Sequence, residues 1–585
     1  MSAQRVIANA MRKSAVDVLI IGGGPTGVSL GLELAAQGVS FRIVDRARGR
    51  SDKSRALVVQ PRTLELLNRH RLGIGNHSKT NDSKNVGGIA RRLQARGNTA
   101  GTSVMCVNRK VVAEIKVKEV GRLPNTAFPF QLLISQEDTE YFLDEALAGY
   151  GKDMKVEWGV EAKSFSQDEE GVTVTFGDPV ARKREAGTQE EVKEKVTETV
   201  RAKYVVGCDG KHSAVRQAAG MTFGGDSYEH DFVLVDVHVD WDGANNNNKA
   251  YQCLGQGFMV VLPIGRGLVR IVTMRNGVAA AGSEVPGLED FQRIFDQMMP
   301  RGEGGRLRDP TWLARFYLHH RGVDRYSRGR LFVAGDAAHV HSPAGGQGMN
   351  TGIQDVVNLG WKLGAVLRGE RPVGLLDSYN AERWPVGQQL LKTTDRRFSW
   401  ITWMNPVYLF LRNLLLPWLA PLVMRNKALV RREFHHMAEF DITYRGSPIV
   451  GTAPGLPAAC TVHGGDRVID GKLRAPNDEE SWLLDLVDLK SHHLVLFSGA
   501  GPDAATEAVL RHARAAFAER SPIAAKVHMV LGEKTGQDEG YLDVDGTLHR
   551  ELGFQQAAYI LIRPDGYAAH VGPLTALDDL VNWLK

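Results

Sequence analysis

Residues 16–46 read VDVLIIGGGPTGVSLGLELAAQGVSFRIVDR. Val16–Ile21 is a short, largely β-branched apolar run, the pattern of a buried parallel strand. Gly22, Gly24 and Gly27 follow in G-x-G-x-x-G spacing, and Pro25 and Thr26 open a helical stretch that ends at Gly38. A second strand, VSFRIV, ends on Asp45 and Arg46. Gly22 permits the tight turn, Gly24 lets backbone approach a pyrophosphate, and Gly27 lets the helix lie close to the strand. The helix N-terminus offers unpaired N–H groups and a positive dipole end. Asp45 stands where a carboxylate can bind both ribose hydroxyls. This order predicts a site for an ADP-containing dinucleotide and leaves nicotinamide and flavin undivided.

The chain has 585 residues, too many for one core, so two or three domains are expected. A formal charge of +5, from 72 basic and 67 acidic residues, is too small and scattered to indicate a nucleic-acid partner. Cys106, Cys208, Cys253 and Cys460 are far apart and form no CxxC pair. Neither a metal cluster nor a disulfide framework is expected, and reduced thiols in the cytoplasm are. The basic, acid-free N-terminus lacks the apolar core of a secretory signal and reads as an extension, with a transit peptide as the alternative. Residues 400–424, WITWMNPVYLFLRNLLLPWLAPLVM, are interrupted by Asn405, Arg412, Asn413 and three prolines. They read as two short amphipathic helices packed on a core or a partner, with no stable membrane insertion.

Two further signals follow. In YVVGCDGKHSAVRQAAG an apolar strand reaches Asp209 and Gly210. In GRLFVAGDAAHVHSPAGGQGMNTGIQDVVNLGWKL a strand delivers Gly335 and Asp336, and a glycine loop, 344–348, opens a long helix near Met349. Asp336 can accept hydrogen bonds from sugar-alcohol hydroxyls. The N–H groups of Gly348, Met349 and Asn350 suit the N1–C2=O edge of an isoalloxazine, which becomes anionic on reduction.

These three motifs resemble the fingerprints of the single-component FAD-dependent aromatic hydroxylases, across roughly residues 15–390 and including LLDSYNAERWPVG. The remainder resembles the phenol hydroxylase branch. The resemblance implies an α/β fold: a Rossmann-like FAD-binding domain of the para-hydroxybenzoate hydroxylase kind, a β-sheet substrate domain and a C-terminal thioredoxin-like domain. The expected division is FAD-binding over 1–115, 136–225 and 326–398, substrate-binding over 116–135 and 226–325, a helical segment and candidate dimer contact over 399–446, and a thioredoxin-like unit without CxxC over 447–585. Gly22, Gly24, Pro25, Thr26, Gly27, Asp45 and Arg46 would surround the ADP half of FAD. Arg55 matches an arginine near the pyrophosphate and Gln136 a flavin-contacting glutamine. Asp209 would serve FAD and the nicotinamide co-substrate, NADPH or NADH. Asp336 would bind the ribitol, and Gly346, Gly348, Met349 and Asn350 the ring. Pro343 would lie beside the ring on the substrate side.

The resemblance further implies oxygen activation as a flavin C4a-hydroperoxide, attacked by an electron-rich ring carbon. Tyr251 stands six residues before Gly257, the spacing of a phenol-binding tyrosine, and Arg270 falls where a flavin-neighbouring arginine is placed. Positions that would hold a substrate carboxylate are Leu262, Ile264 and Val272 here. The expected activity is therefore NAD(P)H- and O2-dependent hydroxylation of a bulky, mainly apolar phenolic or polyketide-like molecule. Baeyer–Villiger or dearomatising oxygenation is the alternative, and a non-catalytic flavin- or lipid-binding protein the second. His238 and His341 are further polar candidates. Near the C-terminus, Gly499, Gly501 and Ala504 imitate a second dinucleotide turn, but no carboxylate follows at ribose spacing.

Overall fold

The computed structural model describes residues 15–51, 56–71, 88–116, 125–177, 196–242, 248–265, 267–274, 286–342, 345–502, 504–533 and 540–585. The N-terminal extension, Arg55 and Pro343 lie outside them.

Strand Ala15–Ile21 sits at the centre of a sheet because its side chains are apolar on both faces: Val18, Leu19 and Ile20 are fully buried. It pairs in parallel with Phe41–Asp45 on one side and Val196–Gly207 on the other. Leu331–Val333 and Val156–Trp158 extend the parallel set outward. All three fingerprints thus leave the same edge of one sheet. Helices Pro25–Gln37 and Gly348–Leu367 cover a face, pressed together where side chains are missing. A Cβ on Gly360 would lie 2.5 Å from Glu33 Cβ, and one on Gly364 2.6 Å from Gln37 Cγ.

The second sheet runs His339–Val340, Gly305–Val323, Phe223–Trp241, Leu268–Met274, Phe258–Gly265, Lys249–Leu254, Thr102–Val107, Lys110–Lys116. It corrects the expected boundaries. The hairpin at 102–116 belongs to this sheet, through parallel pairing of Thr102–Val107 with Lys249–Leu254, and not to the first unit. Leu132–Leu133, in the segment expected here, pairs instead with Val58–Val59. A long-range parallel pairing leaves no local mark on either strand. One face of the sheet alternates Val233, Val235, Val237, Val261 and Ile271 against helix Leu288–Met298. The other face looks toward the first sheet.

Helix Asp377–Thr402 leads into a single 20-residue helix, Pro406–Arg425, and not into the two short helices expected. Pro406 occupies its first turn, and the Asn405 side chain accepts from the N–H groups of Val407 and Tyr408. Pro417 and Pro421 lie inside it without ending it.

The C-terminal sheet places His492–Phe497 parallel to Ala525–Leu531 across helix Ala504–Arg520, with Ala558–Ile562 and Ala568–Pro573 antiparallel beyond. It is joined to the rest by buried charges. Arg467 pairs with Glu65, Arg563 with Glu382, and Arg62 donates to the Asp565 carbonyl over 2.8 Å. Lys362 reaches Glu382 at 2.7 Å, and the Trp361 indole N–H reaches Asp565 at 3.1 Å. Charges held this far from water are retained only when each is paired.

Candidate active site

A cavity of about 2080 Å3 separates the first two sheets. One ligand usually occupies roughly 300–1,000 Å3, so the space accommodates a dinucleotide and a second molecule together.

At one end lies the first glycine turn. Gly22 has φ +113°, and a Cβ there would meet the Cys208 carbonyl at 2.2 Å. A Cβ on Gly27 would lie 1.9 Å from the Gly22 carbonyl. Around Gly24 no described residue lies within 4 Å of an added Cβ, and its backbone faces the cavity. No side chain caps the helix that follows. The helix N-terminus thus meets the cavity at Gly24, Pro25 and Thr26 with no capping side chain among the described residues, the arrangement that receives a phosphate. Asp45 is aimed by accepting from Gly23 N at 2.7 Å and Ala47 N at 2.8 Å. Arg46 lines the same end.

The other fingerprints meet this one. Gly335 and Gly352 both close on Thr26: a Cβ on either would stand 2.7 Å from its Oγ1. Asp209 accepts from Ala214 N at 2.6 Å through Oδ2, while its Oδ1 is buried with no hydrogen-bond partner among the described residues. Burial raises the pKa of that carboxyl. Asp336 projects into the cavity from the turn Gly335–Ala337. Gly346 (φ +63°), Gly348 and Met349 bring the N-terminus of helix Gly348–Leu367 to the wall, again with no side-chain cap. Gln136 also lines the cavity, accepting from Ala56 N at 3.1 Å and donating to Glu140 at 2.7 Å. Burial pushes Glu140 up to about 7. The orphaned Asp209 oxygen, the open Gly24 backbone and two uncapped helix ends fit a flavin dinucleotide.

Gly27 and Asn350 do not line the cavity. The Asn350 amide is used up inside the fold, accepting from Gln60 N at 2.8 Å and donating to the carbonyls of Val58 (2.9 Å) and Gly346 (2.8 Å). Its side chain staples the glycine loop to the strand beside it.

Beyond the glycine loop the wall is mainly apolar, with Leu234, Phe258, Leu262, Val272, Phe316 and Leu318, and Gln252, Arg315 and His319 are its polar members besides Arg270. Arg270 stands among them, forked onto Asp236 through two 2.7 Å bonds and 5.1 Å from the Trp312 ring. Ile264 is buried away from the cavity. Tyr251 is a correction. It lies on the opposite face of its strand, fully buried near Trp241 and bonded through its hydroxyl to Glu303. Burial and the Glu303 carboxylate push its pKa upward, so the phenol stays protonated. Side chains alternate along a strand, and Gln252 takes the cavity side that Tyr251 was expected to hold. His238 is also outside the cavity, bonded to the Gly267 carbonyl at 3.2 Å.

His341 is the polar group that sequence reasoning undervalued. It lines the cavity beside Gly348, where an added Cβ would stand 3.3 Å from its Nε2. Its Nδ1 donates to the Ser342 carbonyl at 2.7 Å, which makes Nε2 the acceptor nitrogen of the neutral ring. Nε2 is buried with no hydrogen-bond partner among the described residues. Burial lowers the pKa to about 4. Its only signal in sequence is its place between the Gly335–Asp336 turn and the glycine loop.

Residues 15–394 match a family model described as FAD binding domain. Over 97% of the chain and 93% of the relative, identity is 34% to 6-methylpretetramide 4-monooxygenase of Streptomyces rimosus. The chain belongs to the FAD-dependent aromatic monooxygenases. A second relative, pentachlorophenol 4-monooxygenase of Sphingobium chlorophenolicum, is 30% identical over 64% of this chain and 63% of its own length. Among solved structures, anhydrotetracycline hydroxylase from Streptomyces rimosus superposes with a TM-score of 0.67 at 26% identity, covering 97% of this chain and 98% of that one. The enzyme is a flavoprotein that holds FAD and takes NAD(P)H as co-substrate.

Proposed function

We propose that this monooxygenase hydroxylates a bulky, mainly apolar phenolic molecule of the polyketide type, in a pathway of specialised metabolism. The apolar wall from Leu234 to Leu318, in a cavity larger than a dinucleotide needs, is the observation that carries the reading. Leu262 and Val272 offer nothing to a small benzoate. Bound FAD supplies the exchange of two electrons with NAD(P)H and the activation of O2. The protein supplies placement. The amides around Gly24 and the Asp45 carboxylate take the ADP half, Asp209 and Asp336 the pyrophosphate-to-ribitol stretch, and the amides of Gly348 and Met349 the ring edge that gains negative charge. The apolar wall excludes water from the reacting end. His341 Nε2 accepts a hydrogen bond from the substrate hydroxyl, which raises electron density in the ring to be attacked. Arg270 is held by Asp236 and Trp312 on the cavity wall, where it would lie near the substrate.

Two further readings go with this one. The C-terminal succession of parallel βαβ and antiparallel hairpin supports a thioredoxin-like unit, and four unpaired cysteines support a reducing, cytoplasmic setting. The deciding experiment is a screen of fused-ring phenols for stimulated NADPH and NADH oxidation, with 13C NMR of the products. A new C–OH on an intact aromatic ring supports hydroxylation. An inserted ester oxygen or a lost aromatic ring redirects the reading to Baeyer–Villiger or dearomatising chemistry, and stimulation by small benzoates alone refutes it.

A further inference from the structure

Helix Pro406–Arg425 is long and apolar enough to cross a membrane, yet most of it lies open on the surface. Phe410 is 67% exposed and Trp418 76%, and Val407, Leu414, Leu415 and Leu422 are exposed beside them. Trp400 and Trp403, just before the helix, are exposed as well. An apolar face of this extent on a soluble enzyme marks an interaction surface.

The charges around it name the partner. Residues 396–432 contain seven cations and no aspartate or glutamate. Arg425, Lys427, Arg431 and Arg432 are exposed at the C-terminal end of the helix and just after it. Carboxylates approach from outside the stretch only. Glu433 pairs with Arg397 at 2.8 Å, and Glu551 lies 3.9 Å from Arg431. Glu114 is exposed on the strand that the helix rests against. Arg425, Lys427 and Arg432 have no ion pair among the described residues. We propose that this face docks the enzyme on an anionic lipid bilayer. Exposed tryptophans, an apolar helix and unpaired cations are what an interfacial helix presents to acidic headgroups. A second copy meeting the same face across a two-fold axis would offer these cations no carboxylate from residues 396–432, which hold none.

The helix is held flat against the protein. Arg412, buried at mid-helix, donates to the carbonyls of Gly255 at 2.8 Å and Ile401 at 3.2 Å, and Asn413 also donates to Gly255. Lifting the helix to span a bilayer would strip the Arg412 guanidinium of these acceptors, so the helix lies in the interface plane. Val423, Met424, Leu429 and Val430 carry the apolar surface into the cavity wall. This gives a lipophilic substrate a route that never enters water; that clause alone rests on the proposed substrate, and the docking does not.

The test uses the FAD-loaded full chain and no substrate. Co-sedimentation is measured with vesicles of phosphatidylcholine and of phosphatidylcholine mixed with phosphatidylglycerol. Binding to the anionic vesicles is expected and weakens as salt rises. Arg425→Gln, Lys427→Gln and Arg432→Gln each lower the partition constant about fivefold. Trp418→Glu abolishes it, with flavin absorbance and unstimulated NADPH oxidation unchanged as the check on folding. No binding to either vesicle, equal binding to both, or a concentration-dependent dimer that Trp418→Glu dissociates overturns the proposal; the last assigns the face to a second copy.

Discussion

Arg563 of the C-terminal sheet forks onto Glu382 of helix Asp377–Thr402, with Nη1 and Nη2 donating over 2.7 and 2.9 Å, and neither side chain reaches solvent. Lys362, the Asn358 amide and the Ser447 hydroxyl also donate to this carboxylate. The pair makes the seam between the two halves of the molecule depend on charge.

Removing one member leaves the other buried and alone. Arg563→Ala should cost about 3–5 kcal/mol. Urea unfolding followed by tryptophan fluorescence would show it, and a loss below about 1 kcal/mol, the usual size of an exposed pair, would contradict the burial.

The same carboxylate sets an acid limit. Burial by itself would raise the Glu382 pKa, but Arg563 and Lys362 outweigh burial and hold it well below its usual value. A depressed folded pKa gives stability that is complete above the unfolded pKa of about 4.3 and lost as pH falls through the folded value. His341 adds the same sign at higher pH. It is neutral when folded down to about 4, whereas an unfolded histidine protonates near 6.5. Stability should therefore fall from about pH 6.5 downward through His341, and go on falling below about 4.3 through Glu382 as the His341 contribution runs out. Glu382→Gln should lose the lower limb of a melting-temperature profile and keep the upper.

Gly24 and Gly27 separate binding from folding. Gly24 has φ −77° and free space where a Cβ would go, so Gly24→Val should fold normally. Its side chain projects into the dinucleotide's place and should weaken FAD binding by roughly tenfold or more. Gly27→Ala drives a Cβ against the Gly22 carbonyl and should destabilise the flavin-free protein itself. Calorimetry of apoprotein and flavin titration distinguish the two. Equal loss of apoprotein stability in both variants would sink the assignment.

His341→Ala should lower product formation about a hundredfold, the lower range for a positioned proton acceptor, while flavin absorbance is retained. Raising the pH toward the substrate's own phenol pKa should restore part of the rate, because a phenolate needs no acceptor. A merely structural histidine would show no such recovery.

Tyr251→Phe should leave turnover unchanged, since the ring faces helix Leu288–Met298 and not the cavity. Loss of the Glu303 bond should cost about 1 kcal/mol. A collapse in kcat with intact flavin binding would return Tyr251 to the site.

What was legible in sequence was whatever is local. The G-x-G-x-x-G turn, Asp45, Asp209 and Asp336 each follow a short apolar strand, and strand parity plays no part in where a strand-end residue lands. Tyr251 was misread because it is mid-strand, where one residue's shift exchanges faces and spacing from a glycine does not set the face. The hairpin at 102–116 was misplaced because its partner lies well over a hundred residues downstream. Helix Pro406–Arg425 was split in two because its prolines were weighed as breakers, although one sits at the first turn and the others leave the helix unbroken.

The central strand Ala15–Ile21 finds its second neighbour only at Val196–Gly207, and the sheet is closed by Leu331–Val333. A ribosome therefore releases the first fingerprint long before its lateral contacts exist. Through that interval a bare edge of valine and isoleucine is carried by the nascent chain, open to wrong partners. Chaperone dependence during synthesis, and insolubility of fragments cut before Val333, follow from that order of arrival.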